Sequence, residues 1–390
     1  MASAPGLTAH LRRSWTRFDG PGRLVGVDLA RALAVLGMLA AHLLDTDRVL
    51  TSDPSTWITL VNGRSSILFA VLAGVSVSLV TGGRRPLTPE RRPRAAARLA
   101  LRGAVLWVIG MMLVFTGVPV YVILPAYALL FVLALPFLGL RARSLFLVAA
   151  GIALVMPWIQ PVLDAAPIWS GPAGDDLSAA VGWHYPFPVW VAFVLAGMGV
   201  GRLDLRQLSE QASLVLAGGS LIIVGYGGAL LTAPVVTDRY ARTVLTAGDH
   251  SSGLWEVIGS GGFALATIGI CLLLCRTPLR WVAVPLRAVG SMPLTAYVVQ
   301  LLVWALVSLE LFGDTSEIVG VRESGLFFPL TIGLIIGCTA WALLVGRGPL
   351  EMFIDALVRV VVGADATTPG RPSSAASEGA DVSGGVGGPR

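Results

Sequence analysis

The stretch RLVGVDLARALAVLGMLAAHLL, from Arg23 to Leu44, has the length and apolarity of a membrane-crossing helix, yet it carries Asp28, Arg31 and His42. Arg31 and His42 are eleven residues apart, so at helical pitch their azimuths differ by only about 20°, and Asp28 lies within about 60° of Arg31. The three therefore share a face. Placed in lipid at mid-depth, one such charge costs on the order of 3 kcal/mol, so that face should look onto other helices or a wet cavity, with Leu33, Val35, Leu36 and Leu39 covering the other side. Two kinds of role fit this pattern. In the structural one, Asp28 and Arg31 pair at i and i+3 and His42 marks the outer interface. In the chemical one, aligned ionisable groups mark a substrate or proton path, with a neutral histidine as general base.

Further polar residues fall at the ends of other apolar runs. Asn62 and Arg64 open the second, as substrate contacts or as interfacial anchors. DHSSGLWE supplies His250 and, six residues on, Glu256 at the start of another run, placed to bind a substrate or to orient a base. His184 in WHYP reads as part of an aromatic interface belt. Cys271, Cys275 and Cys338 lie within apolar runs and read as small packing residues, and no metal site is expected.

The elements that must hold these residues are hydrophobic helices. The chain has 390 residues, 55% hydrophobic and 13% charged. About ten runs are long enough to span a bilayer, near 24–44, 62–81, 99–117, 119–140, 144–163, 185–203, 213–233, 254–275, 288–312 and 325–346. The expectation is an all-α, polytopic integral membrane protein. It divides into an N-terminal segment 1–22, a transmembrane domain 23–362 and a disordered tail 363–390 rich in Gly, Ser, Ala and Pro. No cleavable signal peptide opens it.

The 28 basic residues are all arginine, with a net charge of +5; in so apolar a chain they report topology and not nucleic-acid binding. They crowd the N-terminal segment and every even-numbered connection, which places both termini in the cytoplasm and the connections 164–176, 237–253 and 313–323 outside. The arginine-rich loop 83–102 suits retention at an anionic inner leaflet, or the phosphates of a ligand. Gly117-Val118-Pro119 calls for a tight hairpin, GMGVG and GSGG for close helix packing, and Glu351 in GRGPLE for the start of an amphipathic helix running through Arg359.

The pattern Arg23-x4-Asp28-x2-Arg31-x10-His42 resembles the first helix of membrane acyltransferase family 3. NGRSSILFAVLAGVSVSL, ILPAYALLF, YPFPVWVAFVLAGMGVGRLDL, HSSGLWEVIGSGGFALATIGICLLL, VGSMPLTAYVVQ and GRGPLE resemble the YeiB-like family, domain of unknown function 418, over nearly the whole chain to about residue 360. That family is related to the heparan-α-glucosaminide N-acetyltransferase catalytic domain. The resemblance implies acyl transfer across the plasma membrane of a bacterium. A cytoplasmic acyl-CoA, expected to be acetyl-CoA, would be the donor, and an extracytoplasmic sugar or other small envelope molecule the acceptor.

On this reading His42 takes the acceptor's proton, while Asp28 and Arg31 line the donor path, Arg31 offering its fork to a phosphate or the thioester carbonyl. There are departures from the relatives. Ala32 replaces the glycine usual after the helix-one arginine, and Pro54-Ser55-Thr56 stands where the heparan enzyme has its active histidine before the tryptophan matched by Trp57. Membrane lipid is the expected surrounding partner, nucleic acid is not expected, and a homo-oligomer is left open. The rival reading is a transporter or flippase that uses the charged stripe as a proton or solute path; a noncatalytic partner in an envelope-assembly complex is a third.

Overall fold

The computed structural model describes residues 14–16, 18–20, 22–44 and 54–363, the first four of the last range by backbone alone. Arg12, Arg13, Arg17 and the tail beyond Gly363 lie outside them. Every described element is helical. Among the described residues, eight helical stretches are long and apolar enough to cross a membrane. They are α1 (Val25–Leu43), Ile58–Val80 with α2 (Arg64–Val80), Pro89–Val114 with α3 (Arg92–Val114), α5 (Ala142–Asp164), α8 (Leu208–Thr232), α10 (Leu254–Leu274), α13 (Pro293–Phe312) and α15 (Phe327–Leu344). Shorter helices lie between them: α4 (Leu124–Ala134), α6 (Gly171–Val181), α7 (Phe187–Gly201), α9 (Arg239–Val244), α11 (Leu279–Val282), α12 (Val284–Ser291), α14 (Val319–Glu323) and α16 (Pro349–Val362). The protein is an all-α integral membrane protein.

The runs expected as spans at 119–140 and 185–203 form α4, of 11 residues, and α7, of 15. At about 1.5 Å per residue neither matches the thickness of a bilayer core. Both runs still connect the two ends of the bundle, from Tyr121 beside His184 to the Leu138 carbonyl on Arg202 and from Tyr185 to Arg202, and α7 is buried along nearly its whole length by other helices. The run 288–312 is likewise divided, at Met292, where Pro293 starts a new helix and the chain turns. The hairpin at Gly117 is opened into a segment, 115–123, between α3 and α4.

Helices α1, α2, α7 and α10 form the centre. Two-thirds of the α1 span (67%) is inside the protein, against 17% of the α8 span, which lies on the flank. Close approach is built from glycine, as GMGVG and GSGG call for. A Cβ on Gly74 of α2 would strike the Val194 carbonyl of α7, and one on Gly197 of α7 the Val71 carbonyl of α2. Gly218 and Gly225 of α8 meet Gly262 and Gly259 of α10 in the same way. Because α1 is central, only Leu33 of its four covering residues is exposed; Val35 and Leu39 are core.

The connections gather at two ends. At the arginine end, Arg84 pairs with Asp204 (2.8 Å), Arg276 donates to the Arg206 carbonyl (2.9 Å), and Arg347 pairs with Asp355 of α16 (2.7 Å). Buried Arg202 donates to the carbonyls of Thr81 (3.0 Å), Gly83 (2.7 Å) and Leu138 (2.9 Å). One guanidinium thereby closes the ends of α2, α4 and α7. The described part of the N-terminal segment docks here too. Asp19 pairs with Arg280 (2.7 Å) and with fully buried Arg287, and Trp15 stacks on Trp281.

Glu351 does more than start α16. Its carboxylate accepts from the backbone N–H groups of Leu294 (2.9 Å) and Thr295 (3.2 Å) and from the Thr295 hydroxyl (2.6 Å), capping the first turn of α13.

Arg202→Ala strips partners from three carbonyls, two of them on buried residues, and should cost about 2–4 kcal/mol, with Arg202→Lys recovering little because one ammonium does not span the three loops. Thermal unfolding in detergent checks this; a melting temperature unchanged in Arg202→Ala would contradict the assigned role.

Candidate functional site

Helix α1 carries its charges toward the arginine end. Asp28, 3% exposed, accepts from Arg23 Nε (2.6 Å) and from Arg31 Nη1 (3.0 Å). The i, i+3 pair expected from the spacing is present, joined by a second arginine that precedes the helix. Arg31 does not stop at that pair. Its Nη2 donates to Ser76 Oγ of α2 (2.9 Å), and that hydroxyl donates in turn to the Leu72 carbonyl (2.7 Å). Gly290 of α12 sits against the Asp28 carbonyl so closely that a Cβ there would overlap it. A cavity of about 390 Å³ opens beside this group, lined by Phe18, Arg23, Val345, Gly346, Arg347 and Met352.

At the opposite end, the half-buried His42 imidazole lies 6.3 Å from the Trp304 ring of α13, and its backbone carbonyl accepts from Arg322 Nε (2.9 Å). His184 and His250 come together there, their ring centroids 4.9 Å apart, with Tyr185 edge-on to both. His184 stacks on Tyr121 at 3.7 Å. It therefore belongs to a histidine cluster as well as to an aromatic one. Burial, with repulsion from His250 and His42, pushes the His184 imidazole down to about 4, and burial also lowers His250. A cavity of about 280 Å³ adjoins the cluster, its polar lining made by Tyr121, Asp175, Ser178, His184 and Tyr185.

Glu256 shapes this end. Its carboxylate accepts from the backbone N–H groups of His250 (2.6 Å) and Ser252 (2.7 Å) and from the Ser251 hydroxyl (3.1 Å). His250 and Ser252 both have positive φ, 57° and 54°. A bend that L-residues rarely adopt is thus held by one buried acid, and the His250 Nδ1 it positions has no hydrogen-bond partner.

Arg64 lies over the Tyr226 ring (4.8 Å to the centroid) and donates to its hydroxyl (2.7 Å), which contacts Ser260 Oγ (2.8 Å). Asn62 sits in the turn before α2, its carbonyl accepting from the Arg64 N–H, and Gly63 packs on Asp249. Burial raises the Asp249 carboxyl and Arg64 opposes the rise.

The residues singled out by type and spacing thus fall into two groups. Asp28 and Arg31 stand at the arginine end; His42, His250 and Glu256 stand at the other, with Asn62 and Arg64 near them through Asp249. Sequence reasoning passed over Ser76, Asp249, Gln300 and Trp304. Gln300, a lone amide in the apolar run AYVVQLLVWAL, was the readable signal. The arginines of the 83–102 loop are partly committed to structure: Arg102 pairs with Asp355, and Arg98 donates to the Gly363 carbonyl.

The sequence profile of the family described as heparan-alpha-glucosaminide N-acetyltransferase, catalytic, matches residues 23–225. That of a protein of unknown function, DUF418, matches residues 202–360. None of the curated proteins matches the chain. The likeness to membrane acyltransferase family 3 rests on the helix-one pattern alone.

Because the depressed imidazoles stay neutral in the fold while the unfolded chain takes up protons near 6.5, stability should fall as pH drops from there toward about 4. Melting between about pH 7 and about pH 5 checks this, with the double variant His184→Asn/His250→Asn losing part of the slope. An unchanged slope would contradict it.

Proposed function

The chain belongs to the heparan-alpha-glucosaminide N-acetyltransferase catalytic family, and from that membership we propose that it is a transmembrane acyltransferase that uses acyl-CoA, acetyl-CoA in the first instance, to acylate a sugar or other small acceptor on the far side of a bacterial plasma membrane. The observation that carries the reading is the course of α1. One helix joins a buried carboxylate and its two arginine partners, beside a cavity at one end, to a histidine cluster beside a cavity at the other.

In this reading the arginine end faces the cytoplasm, as the positive-inside rule requires, and both termini lie on that side. The donor's phosphates meet Arg23 and Arg347, whose charges are only partly neutralised by Asp28 and Asp355, and Arg31 guides the arm inward. At the histidine end, the acceptor occupies the cavity of Tyr121, Asp175 and Ser178. An aromatic face, a carboxylate and a hydroxyl suit a polyol.

The acceptor O–H or N–H then attacks the thioester carbonyl. His42 takes its proton, the C–S bond breaks, and the thiolate recovers that proton to leave as the free thiol. His42 needs to be a neutral imidazole with an open ring nitrogen, and it is the penultimate residue of α1. Glu256 acts through His250, so it is a positioning residue, and Asn62 and Arg64 shape the same mouth. The apolar groove of about 630 Å³ between α13 and α15 has no acid or base in its lining and takes membrane lipid.

Labelled acetyl-CoA supplied to the arginine face of proteoliposomes should yield labelled acceptor on the other. His42→Ala should lower the rate by about 10²–10⁴-fold with little change in melting temperature. Solute movement in the absence of any acyl donor, untouched by His42→Ala, would instead favour the transporter reading.

A further inference from the structure

Gln300 is wholly buried on α13, and neither its side-chain nitrogen nor its side-chain oxygen has a hydrogen-bond partner. The opposite face of α13 is turned outward, with Val299, Leu302 and Leu306 from 39% to 62% exposed. Gln300 therefore points into the bundle. One turn further along the same face is Trp304, also wholly buried with its indole N–H unpartnered, against the His42 ring at 6.3 Å. At the other end, Gly290, three residues before α13 begins, is packed on Asp28. Helix α13 thus runs beside α1 in the same direction, and Gln300 stands between the levels of Arg31 and His42. Those levels are about 16 Å apart along α1.

A buried amide with donor and acceptor both unmet is among the most unfavourable groups a helical core can carry, and leucine in its place would remove the penalty. An amide does not titrate, so Gln300 is no proton relay. It offers two N–H donors and a carbonyl acceptor. Its natural complement is a second amide, with one N–H and one C=O, reaching it from the arginine end.

We propose that Gln300 is a donor-binding residue, pairing with an amide of the pantetheine arm while the thioester is presented to His42. The adjacent Trp304 N–H, a donor only, suits the acyl carbonyl. This inference rests on the acyl-CoA reading above and goes beyond it by assigning where the arm is recognised, and by which chemistry.

The test is binding to the full chain in detergent, by calorimetry, of three probes: acetyl-CoA, S-acetylpantetheine, which keeps the amides and lacks the nucleotide, and adenosine bisphosphate, which keeps phosphates and lacks amides. Gln300→Leu should weaken acetyl-CoA and S-acetylpantetheine by about tenfold or more and leave adenosine bisphosphate unchanged. Its unliganded melting temperature should equal or exceed that of the wild type, since an unmet polar group has been removed. Equal binding of acetyl-CoA to wild type and variant overturns this inference alone. Loss of all three probes together with a lowered melting temperature also overturns it, showing a structural role. Failure of acetyl-CoA to bind the wild type overturns the acyl-CoA reading and this inference with it.

Discussion

The structure depends on keeping Asp28 charged inside a helix bundle. A carboxylate that is 3% exposed is tolerable only if its charge is answered at contact distance and its oxygens are used, and removal of one partner from such a pair costs about 3–5 kcal/mol. Arg23 and Arg31 take one oxygen each. Their commitment fixes the entry of the chain into α1, the rotation of α1 about its axis and, through Ser76, its register against α2. Once that rotation is set, His42, eleven residues on from Arg31, has no choice of direction: it faces α13 and the histidine end.

The helices around α1 are built to let this group be buried. Gly290 allows α12 to lie on the Asp28 backbone, and the reciprocal glycines of α2 and α7 bring carbonyls within reach of neighbouring helices. In hydrocarbon, where apolar contact gives no driving force between helices, such close packing and the few interhelical hydrogen bonds do the holding. Two of the buried polar side chains that remain unsatisfied, Gln300 and Trp304, fall on the line from Arg31 to His42.

Much of this was legible in the residues. Apolar run length found all eight helices able to cross a membrane, because that signal needs only composition. It also picked out 119–140 and 185–203, which do run between the two ends, but not how short their helices are, since run length does not distinguish a helix that meets lipid from one sheathed in protein, and the short α7 is of the second kind. The Asp28–Arg31 pair followed from i, i+3 spacing. Its third member, Arg23, lies before the helix, where periodicity says nothing. Glu351 was placed correctly at a helix start, yet its carboxylate caps α13, 56 residues earlier at Thr295. That is a tertiary fact no local rule contains. Likewise His184 and His250 meet only because two connections distant in sequence fold over one mouth, and the role of Glu256 depends on the positive φ angles of a bend that nothing in DHSSGLWE announces.

The central claim is that one continuous path along α1 brings a donor held at the arginine end to the His42 imidazole. A cryo-electron microscopy structure with a non-hydrolysable thioether analogue of acetyl-CoA tests it most directly. The account predicts nucleotide density beside Arg23 and Arg347, the arm between α1 and α13, and the acyl carbon within about 4 Å of the His42 ring, close to an attack geometry. An analogue that ends at the arginine surface or lies along the lipid-facing flank, with His42 walled off from it, would contradict the account.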